Sequence, residues 1–192
     1  MSEDSVRDRP ARTRLLDAAA ELFYAHGVTA TGIDTITQSA GVARKSLYNN
    51  FASKDALVLA YIEQRHDEWL ELHRVRAADA HTAKDEVLAV FDAYIDHANA
   101  AYVHGFRGCG LLNAAAELPT DSLGRAAVRD HKEQVEAMLA AALAKRDSDD
   151  ADVLAEQLSF LLEGAVARAG LEGSDHRLVR ARAIAASLFE NA

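Results

Sequence analysis

Residues 44–49 read Arg44-Lys45-Ser46-Leu47-Tyr48-Asn49: two cations, two hydroxyls, an amide and one apolar residue, with no acid among them. On a helix, Leu47 points inward while Arg44, Lys45, Ser46, Tyr48 and Asn49 spread over the outer face. That face is built to bind. It offers hydrogen-bond donors of the kind that phosphate oxygens and base edges accept. Groups suited to bond-making are sparse. Cys109 is the single cysteine and sits between Gly108 and Gly110; a redox-sensing thiol and an inert buried thiol are both readings of it. With His131 it would form a nucleophile–base pair, yet no third group to orient the base is evident. Eight histidines raise the question of a metal. His66 and His73, like His97 and His104, are two helical turns apart, about 10.5 Å of rise, too far for one ion. The chain has no C-x-x-C, P-loop, G-x-S-x-G or zinc-protease pattern, so no enzyme activity, cofactor or metal is expected.

The donor face needs elements to hold it. Pro10 suits a first helical turn, and Leu15, Ala18, Ala19, Leu22, Phe23 and His26 recur at helical spacing to Gly27, predicting a helix over 10–26. A second helix is predicted from Thr31 to about Ala40, with Thr31 and Asp34 at capping-box spacing and Ile33, Ile36 and Thr37 inward. Gly41 marks a sharp turn and Val42 anchors it. A third helix over 43–50 buries Leu47, with Phe51 behind it; Ser53 then caps a long fourth helix. A short helix, a glycine turn and a second short helix form a helix-turn-helix, whose second helix enters the DNA major groove.

The stretch RTRLLDAAAELFYAHGVTATGIDTITQSAGVARKSLYNNFASKDALVLAY, residues 12–61, resembles the DNA-binding domain of the TetR family. The RLLDAA helix, the F-x-x-x-G end, T-x-I-x-x-I, the AGV turn, LY-x-x-F and SK-x-AL all coincide with it. The resemblance implies an all-α protein of about nine helices: an N-terminal three-helix helix-turn-helix domain and a C-terminal antiparallel helical domain for ligand binding and dimerisation. It implies base contacts by Arg44, Lys45 and Ser46 and phosphate contacts by Thr31, Tyr48, Asn50 and Lys54. Three positions depart from the usual pattern. Ala43 loses a hydroxyl N-cap, costing about 1 kcal/mol; Lys45 adds a charge where a small residue is usual, which puts the operator's identity in doubt; and Gly32 replaces a hydroxyl residue. The implied partners are a double-stranded DNA operator, a small-molecule effector and a second copy of the chain.

Beyond residue 56 the reading is coarser. An arm over 1–9, carrying Arg7 and Arg9 with Arg12 and Arg14 next to it, is expected to be disordered; the head over 10–56 and a body over 57–192 follow. Helices are predicted over 53–78, 83–101, 111–118, 121–146, 150–170 and 175–191. The wide apolar arc of the eighth predicts burial on two sides, and by resemblance the last two helices form the dimer interface. Leu158, Leu161, Leu162 and Ala165, with Leu178, Ala181, Ala185 and Leu188, are its candidates. Trp69, Tyr94, Tyr102, Phe106, Cys109, Asn113, Glu117, His131 and Phe160 are candidates for a pocket taking a small apolar or aromatic effector, against the alternative that each is ordinary core.

Charge divides along the same line. The net charge is −9 over 192 residues; residues 1–60 hold seven Arg/Lys and seven Asp/Glu, and residues 61–192 hold fourteen and twenty-three. The acidity belongs to the body, and a neutral head with basic patches still binds phosphate. One cysteine and a polar, charged N-terminus predict a cytoplasmic protein with no membrane span. A repressor released from a palindromic operator is the reading adopted; a constitutive helix-turn-helix factor and a cysteine-dependent enzyme are the alternatives.

Overall fold

The structure is a computed structural model and describes residues 10–100, 105–146 and 150–191. Among these residues the secondary structure is nine α-helices and no strand: α1 (Ala11–His26), α2 (Ile33–Ala40), α3 (Arg44–Asn50), α4 (Lys54–Ala77), α5 (Ala83–Ala98), α6 (Gly110–Ala116), α7 (Leu123–Leu143), α8 (Ala151–Glu172) and α9 (His176–Asn191). The arm over 1–9, Tyr102 and His104 lie outside the described residues. The chain falls into two compact units, the first holding residues to Arg65 plus Gly110–Val128, the second His66–Cys109 plus Arg129 onward. The first unit therefore reaches past the boundary expected at residue 56 and recruits a later segment of the chain.

In the first unit α1 buries Leu15, Ala18, Ala19 and Phe23, and Phe23 sets its ring edge-on to Tyr61 at 5.6 Å. The spacing of three and four residues that marks this stripe in the sequence is what makes α1 a scaffold for α2, α3 and α6. The capping box expected at Thr31 and Asp34 does not form. Thr31 is 3% exposed, and its hydroxyl donates to the carbonyls of Gly27 at 2.7 Å and Leu22 at 3.3 Å. Thr31 thus satisfies carbonyls left open at the end of α1, and α2 starts two residues later behind Gly32, which has no side chain to cap with.

The turn between α2 and α3 passes through Gly41 at φ +61°, a conformation costly for any residue with a Cβ. Val42 N–H returns to Thr37 O at 3.0 Å, closing the helix end as a Schellman turn does. From α1, the Arg14 guanidinium donates to the carbonyls of Ala40 and Gly41, each at 3.2 Å. Arg12 lies over the Phe51 ring at 4.9 Å. Both arginines counted beside the arm thus brace the head. Leu47 is fully buried and Phe51 nearly so. Ala43 gives α3 no side-chain cap, whereas Ser53 Oγ accepts from Ala56 N–H at 3.1 Å at the start of α4.

Residues 110–128 join this unit through Glu117. Its carboxylate accepts the Val28 amide at 3.1 Å and the Thr29 amide at 2.6 Å, two donors in the loop between α1 and α2. Burial pushes this carboxyl up, but the Thr29 and Val28 hydrogen bonds and the charge of Lys54 outweigh it and leave it below the ordinary range.

In the second unit α5 opens with a complete capping box, Thr82 and Asp85 serving each other's backbone. Its stripe, including Val87, Phe91 and Tyr94, is buried, and α9 packs on both α5 and α8. A fork-to-fork pair, Arg182 with Asp92 at 2.6 and 2.9 Å, ties α9 to α5. Gly170, within α8, sits against the backbone at Gly108: a Cβ there would come within 2.4 Å of the Gly108 nitrogen. Helix ends differ modestly from expectation. Helix α5 stops at Ala98, α7 spans Leu123–Leu143, and α8 runs through Gly170 to a left-handed Gly173.

Replacing Glu117 by Ala leaves two amides in the α1–α2 loop without their acceptor. The expected loss is about 1–2 kcal/mol, read as a lower thermal midpoint by circular dichroism, with Glu117→Gln losing less; a midpoint unmoved by either would contradict the anchoring role.

Candidate functional site

The outer face of the helix-turn-helix is exposed as its sequence requires. Arg44, Lys45, Tyr48 and Asn49 are exposed, Ser46 and Asn50 partly so. One feature was invisible in the α3 sequence taken alone: the acid missing from that helix is supplied by α2. Asp34 accepts Arg44 Nη1 with both oxygens, at 3.0 and 3.3 Å, and the guanidinium lies 6.0 Å from the Tyr48 ring centroid. Periodicity gives the signal in hindsight, since Asp34 lies on the outer side of α2, away from the buried Ile36 and Thr37. Of the four expected phosphate contacts, Tyr48 and Lys54 present accessible groups. Asn50 turns its amide NH₂ to Ser46 O at 2.7 Å. Thr31 differs from expectation: it is buried and its hydroxyl faces two backbone carbonyls, so its side chain is turned away from a phosphate.

The pocket candidates do not form one group. Asn113 and Glu117 belong to the first unit, where Glu117 serves the α1–α2 loop. Phe160 is 65% exposed on α8, and Phe106 faces His97 at 6.3 Å. The second unit does bring Trp69, Tyr94, His131 and Cys109 together, joined by Lys132 and Glu163, which the sequence reading missed, and by His66 and His73, weighed there only as metal ligands. Trp69 lies 5.3 Å from the Tyr94 ring, 5.4 Å from His131 and stacked on His73 at 5.4 Å. Lys132 Nζ donates to Tyr94 Oη at 3.3 Å and Cys109 Sγ at 3.6 Å and pairs with Glu163 at 2.6 Å.

His131 and His66 meet through their Nδ1 atoms at 2.8 Å, and His131 Nε2 lies 3.5 Å from Tyr94 Oη. The pattern of donors assigns the protons. Lys132 donates to Tyr94, Tyr94 to His131 Nε2, and His131 Nδ1–H to His66. That order needs a neutral His131. Burial, and then the charge of Lys132, hold its pKa at about 3. Burial also pushes the Tyr94 phenol up. Burial alone would lower the Lys132 ammonium, but Cys109, Tyr94 and Glu163 hold it above the ordinary lysine value. Two buried polar atoms here have no hydrogen-bond partner among the described residues, Trp69 Nε1 and Glu163 Oε2. Cys109 and His131 thus have different partners, so the nucleophile–base pair does not form, and among the described residues no three His, Cys, Asp or Glu side chains converge for a metal.

Most of the expected dimer residues are core within the protomer. Leu158, Leu162, Ala165, Leu178, Ala181 and Ala185 are buried within the protomer, and Leu161 and Leu188 are half-buried. They are the stripes by which α8 and α9 pack on their own unit. The outward side of α8 carries a second apolar stripe, Val153, Phe160, Gly164, Ala167 and Leu171, at spacings of seven, four, three and four. Leu171 is 84% exposed; Val179 and Ile184 are exposed on α9.

Two family models match this chain: "Bacterial regulatory proteins, tetR family" over residues 15–61 and "Tetracyclin repressor-like, C-terminal domain" over 83–185. A TetR-family transcriptional regulator of Streptomyces coelicolor superposes with TM-score 0.87 at 30% identity over 94% of this chain and 95% of that one. A tetR-type regulator of Streptomyces avermitilis superposes at 0.81, with 28% identity over 95% and 97%. The helix-turn-helix regulator UidR of Escherichia coli is 36% identical over 74 residues, 38% of each chain, so the match to this curated relative spans well under half its length. The chain belongs to the TetR family of transcriptional regulators, DNA-binding proteins rather than enzymes. No described helix is long and apolar enough to cross a membrane.

The depressed His131 fixes a sign. An unfolded histidine binds a proton below pH 6.5, whereas the folded one refuses it down to about pH 3. Stability is therefore lost as pH falls from about 6.5 toward 3, by up to about 1.4 kcal/mol per unit. Denaturant titrations at pH 7, 6 and 5 are expected to show that decline in the wild type and a flatter one in His131→Gln; parallel declines would show that His131 is not its source.

Proposed function

We propose that this protein is a ligand-responsive repressor that binds a palindromic operator as a homodimer. The observation that carries the DNA reading is the exposed donor face of α3. Arg44, Lys45 and Ser46 read base edges, with Arg44 suited to guanine O6 and N7, while Tyr48 and Lys54 hold phosphates and fix register. Curated relatives include both an activator, FasR of Mycolicibacterium smegmatis, and a repressor, KstR2 of Rhodococcus jostii; repression is adopted as the family's common mode. The cytoplasm is the compartment where such a regulator meets its operator.

The second copy docks on the outward stripe of α8 and the exposed apolar residues of α9. Phe160 supplies a large anchor, and Gly164, where a Cβ would touch nothing within its own protomer, lets a partner helix approach closely. Two heads one helical turn of DNA apart, about 34 Å, match a palindrome.

The effector reading rests on the second unit. The partnerless Trp69 Nε1 and Glu163 Oε2, beside the Tyr94 ring, favour an aromatic effector with its own donor and acceptor over a purely apolar one. Such a ligand releases DNA only if it prefers the state that does not fit the operator. Helices α4 and α7, residues of which belong to both units, are covalent links that would carry the change.

Fluorescence anisotropy with DNA from upstream of the protein's own gene tests the head. Salt-dependent binding is expected, with Arg44→Ala losing about 1–3 kcal/mol of sequence discrimination; a variant that discriminates like wild type would remove Arg44 from the reading face. For the assembly, Phe160→Arg is expected to halve the mass in light scattering while keeping helical content, whereas Leu158→Arg unfolds the unit. A Phe160→Arg protein that stays dimeric would refute this interface.

A further inference from the structure

Asp34 is an acid on a surface that must approach polyanionic DNA; in the first turn of α2 it suits the helix dipole, a task that does not require it to reach Arg44. Its partner Arg44 is as open as it is, with side chains 59% and 79% exposed for Arg44 and Asp34. An ion pair so exposed adds little to stability. Asp34 neither caps α2, whose N-cap is Gly32 without a side-chain bond, nor closes the α1–α2 loop, which Thr31 and Glu117 do. Beyond the helix dipole, what remains is its effect on Arg44. Both its oxygens accept the same nitrogen, Nη1, so Asp34 engages one corner of a group with five N–H donors. Tyr48, one turn along α3, flanks the guanidinium at 6.0 Å.

We infer that Asp34 is a specificity-determining residue for DNA recognition: it positions the Arg44 guanidinium so that its remaining donors meet a guanine edge, and it keeps that cation from settling on a phosphate. This rests on the reading of Arg44 as a base contact. Two consequences follow from charge and geometry. A long arginine held in place surrenders less rotamer freedom when it meets its base, so the correct base gains. A carboxylate beside the groove repels phosphate at every site equally, so unrelated DNA loses. Asp34 therefore trades total affinity for discrimination.

The experiment uses the full chain. Wild type selects sites from a randomised duplex library. Wild type, Asp34→Ala, Asp34→Asn and Arg44→Ala are then titrated by anisotropy against the selected site, the same site with its enriched guanine replaced, and random duplex, at several salt concentrations. Asp34→Ala is expected to bind random duplex several-fold more tightly, with a salt slope steeper by about one. Its preference for guanine over the replaced base falls about tenfold, and Asp34→Asn moves the same way. Both variants melt within a few degrees of wild type, the small loss expected of a first-turn acid, so a folding defect would be visible as such. Undiminished guanine preference in Asp34→Ala overturns the inference while leaving Arg44 as a base contact. Guanine preference retained in Arg44→Ala, or no site enriched by wild type, removes the base-contact reading and the inference with it.

Discussion

Between α2 and α3 the chain reverses through Gly41 in a left-handed conformation, and Arg14 reaches from α1 to take the carbonyls of Ala40 and Gly41. The direction of α3 depends on this arrangement. A residue with a Cβ at Gly41 would strain the turn; without Arg14 the two carbonyls would turn to water and the corner would lose its tie to α1. Leu47 and Phe51 then fasten α3 from beneath, which leaves its polar side chains on the outer face. The head reads DNA with short helices, and such helices are stable only through their packing.

The first unit was legible to the extent that its residues follow one period. The stripe of α1, the inward Leu47, the Gly41 turn and the Ser53 cap can all be written down from residue spacing. What could not be read was competition for the same group. Thr31 has the right offset from Asp34 for a capping box, yet its hydroxyl lies closer to open carbonyls at the end of α1, and Asp34 lies beside a cation on another helix. Local spacing does not say which of two partners wins. The same limit explains Glu117, a pocket candidate by its neighbours in sequence and an acceptor for the Val28 and Thr29 amides in space.

The second unit was legible as helices and much less as faces. The wide apolar arc of α8, expected to be buried on two sides, is core within the protomer at Leu154, Leu158, Leu162, Ala165, Val166 and Ala169, and the outward stripe of Val153, Phe160 and Leu171 was not part of that expectation. A leucine-rich stripe and a stripe of Val153, Phe160 and Leu171 are equally apolar on paper. Packing on α5 and α9 separates them, because leucines at four-residue spacing interdigitate well while a lone phenylalanine flanked by glycine leaves a flat patch. The buried polar chain from Lys132 through Tyr94 and His131 to His66 was missed for a different reason. A lysine next to a histidine on an amphipathic helix looks like surface until partners on three other segments are known.

Gly108 and Gly170 carry a consequence outside chemistry. The backbone of one lies where the Cβ of the other would be, so α8 and the strand of chain before Cys109 meet without any side chain between them. Gly170 is held by that collision and Gly108 by its φ of +83°, so neither accepts a side chain easily and each for a different reason. In the history of this lineage the two would stay quiet together, one silenced by contact and the other by backbone conformation, with no ligand needed to explain it. A survey of tolerated substitutions would find them among the quietest positions in the molecule, and would be misled if it took such silence for a binding site.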